Sequence, residues 1–157
     1  MTITVQSAAF KEGLAIPKRH TGDGEDVSPP LFWSDVPAGT RELALIVDDP
    51  DAPTSEPWVH WVLYKLPGDT RSLQQGVART ATLAVPAGAV QGKNSWNSVG
   101  FRGPSPPKGH GVHHYHFKLY ALDTPLALSP GADKRTLSKA MSGHVLGEGE
   151  LVGTYQR

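Results

Sequence analysis

Three features of the sequence predict a mainly β domain. Gly 17 and Pro 14 are high counts for 157 residues, and both punctuate strands and turns more readily than they fit long helices. Several apolar runs have strand length. Only one segment carries a helical period. The chain is long enough to bury its own core, and residues 1–157 read as one unit without internal repeats or low-complexity tracts.

In chain order, Thr2–Gln6 is β-prone and predicts an opening strand. Pro17–Pro30 is loop by composition, and a loop this long in a small domain is functional or well packed. Leu31–Trp33 predicts a short strand, and Val36–Thr40 a turn. Glu42–Val47 is a continuous apolar run, expected to be a central strand covered on both faces. It ends in Asp48-Asp-Pro-Asp-Ala-Pro53, where two prolines stop the strand and three carboxylates gather. That cluster reads equally as a solvated acidic turn. Trp58–Leu66 is the next strand. Strict alternation puts Trp58, His60, Val62 and Tyr64 on one face and Val59, Trp61 and Leu63 on the other.

Residues 71–92 are weakly patterned, with a short strand expected at Ala81–Val85. Lys93–Gly100 is polar and irregular. Gly103–Val112 is too rich in Gly and Pro for helix or strand, and it runs into a strand over residues 112–122. Alternation there puts His113 and Tyr115 on one face and His114 and His116 on the other. Over residues 133–146, Leu137, Ala140, Met141, His144 and Val145 share one helical face. Asp133 is the expected N-cap and Gly147 the expected stop. Glu150–Tyr155 returns as a strand.

Composition narrows the function. Fifteen acidic and fifteen basic residues give zero net charge, without the basic excess of a dedicated nucleic-acid binder. No cysteine is present, so disulfides, thiolate nucleophiles and thiolate metal sites are excluded. The N-terminus lacks the basic and apolar regions of a signal peptide, and no apolar run reaches membrane-spanning length. A cytoplasmic protein without an integral membrane segment is the expectation.

Several catalytic patterns fail on physical grounds. Ser105-Pro-Pro-Lys108 spells S-x-x-K, but two prolines forbid the helix that pattern needs. His114 and His116 share a strand face and offer two metal ligands, short of the three or four a site requires. Gly147–Gly153 has no room for the βαβ unit of a dinucleotide site. A possible convergence remains, of Asp49 and Asp51, of Trp58 and His60, and of Pro107, His113 and Tyr115. Phenol, imidazolium and backbone N–H are donors, and phosphate is an acceptor. The carboxylates would orient the imidazoles and favour their protonated forms. They would also repel a bare dianion, which points to a small, cationic-headed or monoanionic phosphate ester.

Three ordered motifs carry a resemblance: Asp49-Pro-Asp-Ala-Pro53; Trp58-Val-His-Trp61; and Gly103-Pro-x-Pro-Pro-x-Gly-x-Gly-Val-His-x-Tyr115 followed by Phe117-x-Leu-Tyr-Ala-Leu-Asp123. Gly22-Asp-Gly24, Ser28-Pro-Pro-Leu31 and Trp33 fit the same pattern. Together they resemble the phosphatidylethanolamine-binding protein family, which includes the Raf kinase inhibitor proteins, and most closely its bacterial and archaeal branch. The resemblance implies a large central antiparallel sheet packed on a smaller sheet, with a few peripheral helices. It implies a pocket for phosphate-like groups or a phospholipid headgroup, mapping here to Asp49, Asp51, Trp58, His60, Pro107, His113 and Tyr115. It implies no cofactor and no metal, a kinase or protease as protein partner, and a homodimer. Between Gly92 and Gly103 the chain departs from the family pattern, with Trp96 and Arg102 unexpected at the rim. Arg102 reads either as a cation for phosphate or as a solvated loop arginine.

The leading expectation is a non-enzymatic binding protein that modulates a partner. The rivals are a small phosphate-ester enzyme using His60 and His113 as acid and base, and a dimeric scaffold with a vestigial pocket.

Overall fold

The computed structural model describes residues 2–157. Among these residues, eight strands and one α-helix follow in order: β1 (Thr4–Gln6), β2 (Leu31–Ser34), β3 (Glu42–Asp49), β4 (Trp58–Pro67), β5 (Ser72–Leu73), β6 (Val90–Gln91), β7 (His113–Leu122), α1 (Lys134–Met141) and β8 (Val145–Tyr155). They form a five-stranded sheet in the order β6-β4-β3-β7-β8 and a three-stranded sheet in the order β1-β2-β5. Every pairing within the two sheets is antiparallel. The predicted mainly β architecture, a large sheet on a smaller one, is the one observed.

The apolar run of β3 explains the layering. Leu43, Leu45 and Val47 point toward the small sheet and pack with Ile3, Val5, Leu31, Trp33 and Leu73. Ala44 and Ile46 point the other way and pack with Tyr64, Val62, Leu137 and Met141. Both faces of β3 are therefore covered, as expected of a continuous apolar run. Each such side chain stabilises the fold by about 1.5–3 kcal/mol when fully buried.

Several boundaries differ from expectation. The helix stops at Met141 rather than reaching residue 146. Asp133 caps it by accepting the Thr136 N–H at 2.8 Å, but Gly143 takes a left-handed φ of 83° and breaks the helical path. His144 and Val145 thus leave the helical face. Val145 opens β8 opposite Leu122, and the His144 imidazole lies 2.9 Å from Asp123. Ala81–Val85 forms no strand; a single bridge joins Thr82 to Val90. The short strands β5 and β6 were invisible to patterning, because two residues carry no period.

The long loop over residues 17–30 contains one 3-10 turn at Lys18–His20; half of its residues are exposed, and His20, Thr21, Ser28 and Pro29 are buried. Gly22 N–H donates to Pro104 O at 2.8 Å, and Asp26 Oδ1 accepts from Gly103 N–H at 2.6 Å. The loop therefore fixes the start of the Gly-Pro segment that leads into β7. Among the described residues, no helix is long and apolar enough to cross a membrane.

Candidate functional site

A cavity of about 240 Å³ opens at one end of the large sheet. Asp49 ends β3, Trp58 and His60 begin β4, and His113 and Tyr115 begin β7. Antiparallel pairing of β3 with both neighbours puts these ends side by side, as in the pairings Asp49 to Trp58 and Asp48 to His116. The cavity is lined by Asp49, Trp58, His60, Trp96, Ser105, Pro106, Pro107, His113 and Tyr115, with Ala52, Pro53 and Thr54 at the turn. Six of the seven sequence-predicted residues are thus brought together.

His60 reaches this cavity through a register shift. Val47 pairs with Trp61, but Asp48 pairs with Val59, so the β3–β4 ladder gains one residue at His60. Strict alternation placed His60 with Val62 and Tyr64, facing away from Trp61. The extra residue resets the alternation: Val59 now packs with Val62 and Tyr64. His60 turns to the side of Tyr115, with ring centroids 5.2 Å apart. Bulges re-aim side chains in this way, and period-two reading cannot see one.

Asp51 does not line the cavity. It lies in the turn beyond Pro50, and its carboxylate Oδ2 accepts from both the backbone N–H and Nδ1–H of His114 at 2.8 Å. Partial burial raises the Asp51 carboxyl, but these hydrogen bonds together outweigh it and hold the pKa below the usual carboxylate value. Its link to the site is indirect: the Asp51 N–H donates to Asp49 Oδ1 at 2.8 Å.

Asp49 anchors the site. Its Oδ2 accepts from His113 Nδ1–H at 2.6 Å, and both side chains are almost fully buried. His113 Nε2 in turn lies 2.6 Å from His110 Nδ1. His60 is gripped from the opposite wall. Its Nδ1–H donates to the Arg102 carbonyl at 2.6 Å, and Arg102 N–H donates to His60 O at 3.1 Å. Burial pushes the His60 imidazole below its usual pKa, against the opposing pull of the Arg102 carbonyl and Asp49. The expectation that nearby carboxylates favour a protonated imidazole therefore fails for His60, because desolvation is the larger effect. Burial raises the Tyr115 phenol far above its usual value, with Asp49 adding to the rise. Tyr115 remains a hydroxyl donor at any physiological pH.

Trp96 is the principal wall residue that was not predicted. Its indole meets Trp58 edge-on at 5.4 Å and His60 at 5.0 Å. Buried Asn94 shapes the loop beneath it, accepting from the Trp96 and Ser98 N–H groups and donating to Gly100 O. The sequence signal was a lone tryptophan in a polar segment. Arg102 stacks over the outer face of Trp96, 4.7 Å from the ring centroid, and does not line the cavity. His114 and His116 sit on the other sheet face, His116 against Glu150 at 3.1 Å. Among the described residues, no three His, Cys, Asp or Glu side chains come together in a metal-like group.

Two antiparallel sheets, one large and one small, with a single α-helix among the described residues, make this a mainly β domain. The chain belongs to the phosphatidylethanolamine-binding protein family, whose sequence profile matches residues 6–156. A UPF0098 protein of Methanothermobacter thermautotrophicus is 50% identical over 155 residues, covering 99% of this chain and 99% of its own length. A Mycobacterium tuberculosis protein described as lipoprotein LppC is 40% identical, covering 98% of this chain and 72% of its own. Among solved structures, E. coli YbcL superposes with a TM-score of 0.92 at 33% identity over 100% of this chain and 99% of that one. A carboxypeptidase Y inhibitor, solved in complex with its cognate proteinase, shares the fold alone: TM-score 0.56, 15% identity, covering 99% of this chain and 82% of the inhibitor.

Proposed function

We propose that this protein binds a phosphate-like group, either free or as a phospholipid headgroup, in the cavity at the end of the large sheet. The observation that carries this reading is the convergence of Asp49, His60, His113 and Tyr115 on a cavity of about 240 Å³. That is below the roughly 300–1,000 Å³ of a drug-sized pocket, so it suits a headgroup rather than acyl chains. Tyr115 donates, His60 contributes a ring nitrogen, His113 contributes its Nε2 where an anion displaces His110, and Trp58, Trp96 and Pro107 form a rigid wall. Asp51 supports the site through Asp49.

The same reading makes the protein a ligand-dependent modulator of a partner, a kinase or protease, acting in the cytoplasm as a homodimer. The inhibitor of the same fold, solved with its cognate proteinase, is a precedent for a protease partner at the level of fold. The lipoprotein description of the mycobacterial relative is the contrary precedent for location. Sedimentation velocity tests the dimer, and cell fractionation tests the location.

Calorimetric titration with O-phosphoethanolamine and inorganic phosphate tests the pocket. Saturable binding that falls about 10- to 100-fold in Tyr115→Phe, the worth of one hydrogen bond to an anion, is expected. Absence of binding at millimolar ligand would overturn the reading. The buried Asp49–His113 pair also matches the orienter–base half of a hydrolytic site, which favours a phosphate-ester enzyme as the second reading. Turnover of an ester panel that is abolished in His113→Ala would select it.

A further inference from the structure

We propose that the pocket selects oxyanions that carry a proton, foremost the monoanion of a phosphate monoester, and rejects sulfate esters of the same shape and charge. The proposal rests on the reading of this cavity as a phosphate site and specifies the ligand that site takes.

The His60 ring decides it. A carbonyl oxygen only accepts, so the 2.6 Å contact with Arg102 O fixes the ring proton on Nδ1. The reciprocal Arg102 N–H to His60 O bond holds that geometry in place. A second proton would have to enter at Nε2 and create an imidazolium that is only 3% exposed. Burial opposes this and lowers the pKa. His60 therefore presents Nε2 to the cavity as a lone pair, an acceptor. Among the described residues, no protein donor reaches that nitrogen, and the ring is flanked by the aromatic edges of Trp96 and Tyr115.

The rest of the lining reinforces the requirement. Both Asp49 oxygens are already accepting, Oδ1 from Asp51 N–H and Oδ2 from His113 Nδ1–H, yet the carboxylate still projects negative potential into the cavity. Tyr115 keeps its hydroxyl hydrogen and donates. The cavity thus offers a donor on one side and a bare acceptor on the other. A phosphate monoester monoanion matches both, accepting from Tyr115 through P–O and donating to His60 through P–OH. A sulfate ester has no proton to give. It sets a lone pair against a lone pair and leaves a buried acceptor unpaired, which is how a site built to bond a hydroxyl rejects its analogue.

Methyl phosphate and methyl sulfate isolate that one proton. At about pH 5, below the second ionisation of a phosphate monoester near 6, both are monoanions of nearly equal size. Titrations followed through the ¹⁵N and ¹H imidazole resonances are expected to show methyl phosphate binding at least about 10-fold more tightly. His60→Gln supplies an amide donor as well as an acceptor and should shrink the gap to about 2-fold. In the free wild-type protein at neutral pH, the His60 Nε2 resonance should be that of an unprotonated nitrogen. Methyl sulfate binding within about 2-fold of methyl phosphate, with His113 responding to both, would overturn the proposal while leaving the phosphate pocket standing. A protonated His60 Nε2 would overturn it equally, without need of the variant. Silence of both imidazoles toward both ligands would remove the pocket reading and this inference with it.

Discussion

Asp49 Oδ2 accepts from His113 Nδ1–H at 2.6 Å, tying the last residue of β3 to the first residue of β7 across 64 positions of sequence. The pair is buried, so its loss is not compensated by water. Asp49→Asn keeps the shape but removes the charge and can turn a donor toward the imidazole. The expected cost is about 1.5–3 kcal/mol in urea denaturation, the range for a hydrogen bond to a charged group. The ¹⁵N spectrum of His113 should also lose its fixed Nδ1–H tautomer.

His110 occupies the remaining nitrogen of that imidazole. Because Nδ1 of His113 carries its proton to Asp49, Nε2 is the nitrogen left to pair, and His110 Nδ1 lies 2.6 Å from it. His110 is exposed and sits between Gly109 and Gly111, both at positive φ, on a segment tied to the C-terminus by Gly109 N–H to Arg157 O. An anion that uses His113 must displace it. His110→Ala is expected to tighten phosphate binding about 2- to 10-fold; calorimetry on the two proteins checks the sign.

His60 gives the stability curve a direction. Burial holds its folded pKa below the usual imidazole value of about 6.5, so above that pH both folded and unfolded forms are neutral and the group contributes nothing to pH dependence. As pH falls below about 6.5, the unfolded chain takes a proton that the buried ring resists. Stability drops by at most about 1.4 kcal/mol per pH unit until the folded pKa is reached. Melting temperatures between about pH 7.5 and pH 5 should fall less steeply in His60→Gln than in the wild type.

On the opposite face of β3, Asp48 is a buried carboxylate that accepts from Lys134 Nζ at 2.7 Å and Lys118 Nζ at 3.3 Å. Its Oδ1 is buried with no hydrogen-bond partner among the described residues. The pairing pins the start of α1 to the sheet. Since both lysines are about a third exposed, part of their loss is recovered by solvent. Asp48→Ala is expected to cost about 1–3 kcal/mol in chemical denaturation, below the full penalty of an isolated buried ion.

Gly149 marks where the N-terminal segment crosses β8. A Cβ there would lie 1.8 Å from Ile3 O, beside the Ile3 N–H to Glu148 O bond. Gly149→Ala must move backbone rather than a side-chain tip. An expected loss of about 1–3 kcal/mol, with faster amide exchange in β1, follows from that contact.

Much of this architecture was legible because it is written in local period. Glu42–Val47 read as a doubly covered strand from its continuous apolar run, and the alternation of β7 put His113 and Tyr115 on one face. Asp133 announced the helix start. What escaped reading depended on departures from period. The register shift at His60 turned that imidazole to the pocket face, Gly143 ended the helix early, and β5 and β6 were too short to pattern. Trp96 became a wall only because Asn94 folds its loop back onto β4. Asp51 looked equivalent to Asp49 in sequence, yet one turn past Pro50 its carboxylate faces His114 instead.

The most direct test of the central claim is a phosphate titration read through all seven histidines at once. The account predicts saturable shifts at His60 and His113 at millimolar phosphate, with His114, His116 and His144 unmoved on their separate acidic partners. Uniform shifts across the exposed histidines, or no response at His60 and His113, would contradict it.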